Sequence, residues 1–168
     1  MKAILLALRS LVVLILIPGT VAVYAPLLIL QASGRMDWPG LTAGSFLAAS
    51  LTLFGFSVLL FCVWDFFAVG QGTLAPFDPP RRLVVVGLYR FTRNPMYNGV
   101  LAALLGQAWL FSSTALLKYA VAVFVLVHVF VLLYEEPALE SQFGESYRDY
   151  RRAVPRWGFR LRPYTVAA

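Results

Sequence analysis

Residues 41–65 read LTAGSFLAASLTLFGFSVLLFCVWD, and this stretch decides the class of fold. No charged side chain interrupts it from Leu41 to Trp64; the first is Asp65. A helix needs about 20 mostly apolar residues to cross the hydrocarbon core of a bilayer, so the run is long enough to span. Gly44, Ser45, Ala48 and Gly55 supply small positions on which a neighbouring membrane helix can pack closely.

The rest of the chain has the same character. Of its 168 residues 60% are hydrophobic and 13% charged, about half the charge of an ordinary soluble domain. Leu11 to Leu30 forms a second uncharged run, with Pro18 and Pro26 as expected kinks that membrane helices tolerate. A signal peptide is the competing reading, because Lys2 and Arg9 precede the run, but the run is long for a signal core. Tyr97 to Phe111 and Ala115 to Tyr134 are two further runs, separated by Ser112, Ser113 and Thr114, which predicts a tight antiparallel hairpin. Cys62 is the one cysteine, so neither a disulfide framework nor a cysteine-based metal site is available. The expected fold is all-α: an integral membrane helical bundle of about four transmembrane helices plus a cytoplasmic amphipathic C-terminal helix. It would form a single domain over residues 1–168, with a two-helix part (1–69) and a cofactor-binding part (70–168).

Charge placement orients the bundle. Lys2, Arg9, four arginines between runs two and three, and six in the tail make twelve basic residues on one side, against Arg35 and Lys118 on the other. The positive-inside rule then puts both termini and the central loop in the cytoplasm, in a plasma or inner membrane for a prokaryotic chain. The net charge of +6 follows this topology and gives no reason to expect nucleic acid. The expected partners are membrane lipids and a lipophilic small-molecule or lipid substrate.

The chemistry-bearing residues gather on that same side. Between Gly70 and Pro95 glycines and prolines are dense, which predicts a structured loop, with a short extended segment over 82–89. The segment from Gly87 to Tyr97 packs Arg90, Arg93, Asn94, Tyr89 and Tyr97 against the start of a span. It suits a pocket for a charged ligand, and equally a basic, aromatic interfacial collar. Glu135 and Glu136 end the fourth run, where carboxylates oppose the helix dipole, so a ligand or a partner such as Arg90 or Arg93 is expected to compensate. His128 precedes Glu135 by two helical turns on the same face; it reads as a packed side chain or a catalytic one. Asp65 closes the second run and reads as an interfacial acid capping the turn or as a contact of the pocket. Beyond Tyr134, Leu139, Phe143, Tyr147 and Tyr150 recur at helical spacing, giving the tail one apolar face.

In order and spacing, several segments resemble the isoprenylcysteine carboxyl methyltransferase and phospholipid methyltransferase families. They are Gly70-Gln71-Gly72-Thr73 with Pro76, Leu83 to Tyr89, Arg93-Asn94-Pro95-Met96-Tyr97, Glu135-Glu136, and Phe143-Gly144 with Tyr147, Tyr150, Val154, Pro155 and Arg156. The resemblance covers about residues 65–156. It implies a membrane enzyme that transfers the methyl group of S-adenosyl-L-methionine, bound in a cytoplasmic pocket closed by the C-terminal segment. By matched position it implies cofactor contacts from Arg81, Arg82, Leu83, Val84, Tyr89, Asn94, Pro95, Met96, Tyr97 and Glu135, with Arg93, Glu136 and His128 as further candidates. It assigns no catalytic side chain and no metal. The isoprenylcysteine enzymes carry a histidine at the place of Asn94 and a substrate-contacting arginine at the place of Val131, so the acceptor stays open among a prenylcysteine-like carboxylate, a phospholipid amine and a thiol. Two other readings compete: a membrane NADPH-dependent reductase of the sterol reductase type, and a non-enzymatic scaffold.

Overall fold

The computed structural model describes residues 15–35, 37, 40–65, 68 and 83–165. Arg81, Arg82, Gly70-Gln71-Gly72-Thr73, Pro76 and Pro79-Pro80 lie outside the described residues. Every regular element among the described residues is helical. A wide-turned segment, Ile15–Tyr24, leads into α1 (Ala25–Ala32), followed by α2 (Ala43–Asp65), α3 (Pro95–Leu110) and α4 (Thr114–Phe130). A wide turn, Val131–Glu135, joins α4 to α5 (Glu136–Phe143), and α6 (Glu145–Ala153) follows.

Two helical runs, Ala43–Asp65 and Thr114–Phe143, are long and apolar enough to cross a membrane. Only 22% of either apolar window is buried, so neither is the core helix of a soluble protein. Phe46, Leu53, Phe54, Leu60, Trp64, Leu126 and Leu133 all project outward instead, a surface suited to lipid. Ile17–Ala32 is a shorter apolar helix, and α3 has 16 residues.

Small residues set the central contact, between α2 and α3. Gly55 lies directly on the backbone of Gly99 and Ala103, and Gly106 lies on Thr52 and Ala48. Of the small positions expected to pack, Ala48 and Gly55 do so; a Cβ at Gly44 would meet Thr42 Oγ1 at the start of its own helix, at 3.7 Å. Ser45 has a different task. It exchanges hydrogen bonds with Thr42 (Thr42 N to Ser45 Oγ 2.8 Å, Ser45 N to Thr42 Oγ1 3.1 Å), closing the start of α2 as a reciprocal cap.

The prolines act as expected of membrane prolines. Pro26 has no N–H for the Ala22 carbonyl one turn earlier, and Gln107 Nε2 on α3 donates to that carbonyl at 2.9 Å. Tyr119 on α4 donates to the neighbouring Val21 carbonyl at 3.0 Å. Polar groups freed within the apolar layer are thus re-satisfied by adjacent helices. The hairpin also forms: Ser113 caps α4 through the Leu116 amide, and Arg35 donates to the Ser112 carbonyl at 2.9 Å. Arg35 therefore joins the hairpin turn at one end of the bundle, opposite the end that gathers the candidate site.

Two local expectations need correction. The described part of the 82–89 segment has no strand; it runs without regular structure to Val86 and closes in a single 3-10 turn, Gly87–Arg90. Nor do Glu135 and Glu136 end a helix. The backbone continues through them, loosened into a wide turn because Pro137 lacks an N–H to bond the preceding turn. The dipole argument for their cost therefore fails, and another reason holds them in place.

Candidate functional site

That reason is a pair of arginines. Glu136 Oε1 accepts from Arg93 Nη1 at 2.7 Å and from Arg156 Nε at 2.7 Å, while its Oε2 accepts from Arg156 Nη2 at 2.9 Å. The carboxylate side chain is 7% exposed and that of Arg93 9%, so this is a buried ionic triad with nearly complete hydrogen bonding. Arg93 is an expected partner; Arg156 belongs to the family pattern but not to the residues expected at the site. Its signal was there, in an arginine directly after the helix-stopping Pro155.

The triad belongs to a strap. Residues 154–164 leave α6 and lie along residues 90–98, with three backbone bonds: Arg93 N to the Pro155 carbonyl (2.9 Å), Arg160 N to Phe91 (3.0 Å) and Tyr164 N to Arg90 (2.9 Å). Side chains reinforce it. Arg93 Nε donates to the Val154 carbonyl, Asn94 Nδ2 to Arg156 and Asn98 Nδ2 to Trp157, at 2.9, 3.1 and 3.1 Å. Asn94 is buried, and its amide serves the strap. Gly144, at φ +56°, breaks the tail between α5 and α6, a backbone state that a residue without Cβ adopts readily. The break lets Tyr147, Tyr150 and Val154 turn inward on Leu83, Val85, Leu139 and Phe143.

A second cluster lies beside the strap. Tyr97 donates to Glu135 Oε2 at 3.0 Å. Tyr89 is buried among Cys62, Val84 and Met96. Burial pushes its phenol well above the ordinary range, and Cys62, Glu135, Tyr150 and Tyr97 add to the rise. Tyr89, Tyr97 and Glu135 therefore form one neighbourhood, with Tyr150 donating to the Tyr89 carbonyl at 2.6 Å from below. Nearer the strap, burial and then Glu136 push the Tyr147 phenol up to about 12. Neither Tyr89 nor Tyr147 is an anion at neutral pH, and the Tyr147 hydroxyl accepts from Arg93 Nη1 at 3.5 Å. Tyr150→Phe is expected to orphan a buried carbonyl and destabilise the protein by about 1–3 kcal/mol, read as a lower melting temperature in detergent with helical content unchanged.

The other expected residues divide by role. Leu83 packs on the tail, Val84 and Met96 pack in the core beneath Tyr89, and Pro95 opens α3 fully buried. His128 accepts from Trp157 Nε1 through Nδ1 at 2.9 Å, so its partner is on the strap. Trp157 also sits edge-on to Phe124 and 6.4 Å from the Tyr97 ring. Val131 is buried, and Asp65 is buried too, against the backbone of Gly87. A concave site of about 580 Å³ opens beside the triad, lined by Arg93, Leu132, Glu136, Pro137, Glu140, Arg151 and Arg156. Its wall joins charged groups to an apolar helix face that continues down α4.

Comparison with known proteins bears on what this end of the bundle does. Residues 43–146 match the family described as phospholipid methyltransferase. Over 72 residues the chain is 35% identical to a phosphatidylethanolamine N-methyltransferase of Talaromyces marneffei, a stretch amounting to 43% of this chain and 7% of that protein. Over 64 residues it is 44% identical to an uncharacterized protein of Haemophilus influenzae, covering 37% of this chain and 98% of that one. The chain thus spans only a small fraction of the fungal relative's length. No solved structure matches. The matched region runs from the first residue of α2 through the Arg93–Tyr97 turn and the Glu135–Glu136 pair into α6, and on that match the chain belongs to the phospholipid methyltransferase family.

Proposed function

We propose that this chain transfers the methyl group of S-adenosylmethionine to a lipophilic acceptor at the cytoplasmic face of a membrane that it crosses four times, with both termini on that face. Membership of the family supports membrane methyl transfer, and methyltransferases of the family generally use S-adenosylmethionine. The observation that carries the reading is the joining of Glu135, Tyr97 and Tyr89 into one neighbourhood at the end of the bundle where the tail folds back.

The residues present fit such a cofactor. It carries a sulfonium, an ammonium and a sugar diol, all of which favour carboxylate and phenol partners in a partly dry site. Glu135 offers carboxylate lone pairs beyond the one taken by Tyr97, and Tyr89, Tyr97 and Trp157 offer ring faces and edges. When bound, S-adenosylmethionine supplies an already activated electrophilic methyl group. The protein's task is then to hold donor and acceptor in line and to exclude water. Glu135 and Tyr97 fix one side, the strap covers the site, and the exposed apolar face of Leu132 and Leu133 gives a lipophilic acceptor a way in from the bilayer. The fungal relative is named for the N-methylation of phosphatidylethanolamine, which makes a phospholipid amine the first acceptor to try.

The test is titration of the purified protein in detergent with S-adenosylhomocysteine. Glu135→Gln and Tyr97→Ala are each expected to weaken binding by about tenfold or more, the scale of a lost hydrogen bond to a charged group. Unchanged titration curves for both variants would sink the proposed site. Incubation with methyl-labelled cofactor and a whole lipid extract then identifies the acceptor, and thermal stabilisation by NADPH in place of S-adenosylhomocysteine would return the reductase reading.

A further inference from the structure

Asp65 is the last residue of α2, 8% exposed, and no described group bonds its Oδ2. A carboxylate in that state is unusual, because a buried charge is ordinarily paired or fully hydrogen-bonded.

The surroundings are built around this side chain. Gly87 takes φ +51°, and a Cβ on it would strike Asp65 Oδ2 and the Phe61 ring. The 3-10 turn that bears Tyr89 can therefore approach the carboxylate only because residue 87 is glycine. One turn back on α2, Cys62 packs on Tyr89, whose phenol lies within reach of the Glu135 charge. Asp65 thus stands on the α2 side of the neighbourhood that holds Glu135 and Tyr97 on the other. Three described arginines at this end of the bundle are engaged by other groups: Arg93 and Arg156 by Glu136, and Arg90 through Nε by the Tyr164 carbonyl.

We propose that Asp65 is a ligand-binding residue whose free oxygen receives the ammonium group of a substrate. This rests on the methyl-transfer reading, which offers two sources of that chemistry: the α-ammonium of the methyl donor, and the ammonium of an amine-bearing acceptor lipid. An ammonium suits the site better than a sugar diol. A diol would satisfy the lone pairs but leave the buried negative charge uncompensated; an ammonium does both.

Asp65→Asn distinguishes the cases, with two adenosine probes and one lipid. S-adenosylhomocysteine carries the α-ammonium, and 5′-deoxy-5′-methylthioadenosine keeps the nucleoside but lacks the amino-acid end. If the methyl donor is the source, the variant binds S-adenosylhomocysteine about ten- to a hundredfold more weakly and methylthioadenosine as the unmodified chain does. If the acceptor is the source, both adenosine probes bind unchanged while KM for phosphatidylethanolamine in mixed micelles rises by a similar factor. Without ligand the variant's melting temperature stays level or rises, because an uncompensated charge has been removed.

Equal weakening of both adenosine probes would assign Asp65 to the sugar and overturn the proposal. So would a clear loss of unliganded stability, which would mean the carboxylate serves a partner within the chain. No change in any affinity or in KM, with normal binding by the unmodified chain, overturns the assignment of Asp65 alone. Failure of the unmodified chain to bind S-adenosylhomocysteine overturns the functional reading and this assignment together.

Discussion

Glu136→Ala is expected to destabilise the protein more than any other truncation at the site. The substitution leaves Arg93 and Arg156 side by side without their shared counter-ion, where both have given up water to reach it. Breaking a buried ion pair by removing one partner costs roughly 3–5 kcal/mol, mostly from the charge left behind. Arg156 is 26% exposed and can recover part of its hydration, whereas Arg93 at 9% cannot. The loss should therefore sit near the lower end of that range, a fall in melting temperature of roughly 6–15 °C for a chain of this size. Its location is also specified. Arg93 still reaches the Val154 carbonyl, but the strap loses its ionic anchor, so trypsin should cut near Arg156 and Arg160 well before global unfolding. Glu136→Gln keeps the shape and two acceptor sites, and should fall between the two. A melting temperature for Glu136→Ala equal to the unmodified chain's would remove the triad from any account of how the tail is held.

The triad marks the limit of what the sequence made legible. Run lengths and breakers are local signals, so the helical class, the spanning stretch ending at Asp65, the Ser112–Thr114 hairpin and the break at Gly144 could be read from neighbouring residues. Family resemblance pointed to Arg93 through Tyr97 and to Glu135–Glu136, and the structure brings Tyr97 to Glu135 and Arg93 to Glu136. What local signals could not carry was partner choice across the fold. Arg156 is one of six tail arginines; its place directly after Pro155 sets it apart from Arg151, which bonds the half-buried Glu140 instead, but does not say which carboxylate it meets. Asn94 reads as a ligand contact from its motif, yet its amide holds the strap, because the strap's carbonyls need donors and Asn94 is in reach. The continuity of the backbone through Glu135 depends on the Pro137 defect opening a wide turn without ending the helix. Several prolines in this chain do one or the other, so composition alone does not decide which.

Gly55→Leu is expected to have the other large effect, and it tests the contact between α2, which ends at Asp65, and α3, which begins at Pro95. A Cβ at residue 55 would meet the Ala103 amide and the Gly99 carbonyl, both backbone, so no rotamer change can make room. The contact is reciprocal: a Cβ at Gly99 would come within 2.8 Å of the Gly55 carbonyl and 3.0 Å of Val58 Cγ1. Relief requires α2 and α3 to move apart as bodies, which would also loosen Gly106 from Thr52 and Ala48. Overpacking a tight core costs about 1–3 kcal/mol where side chains can yield, and here they cannot, so the upper end or more is expected. In lipid or detergent, close packing is itself the main attraction between helices, and lost contact is not replaced by a hydrophobic drive. The variant should aggregate or melt at markedly lower temperature. Gly44→Leu, on the same helix but where an added Cβ meets Thr42 Oγ1 at an ordinary 3.7 Å, should behave as the unmodified chain. A milder replacement extends the test to the site: if Gly55→Ala survives purification, the shifted helices should weaken S-adenosylhomocysteine binding although residue 55 is no part of the proposed pocket. Normal melting and normal binding for the leucine variant would mean that the α2–α3 contact does not position the site.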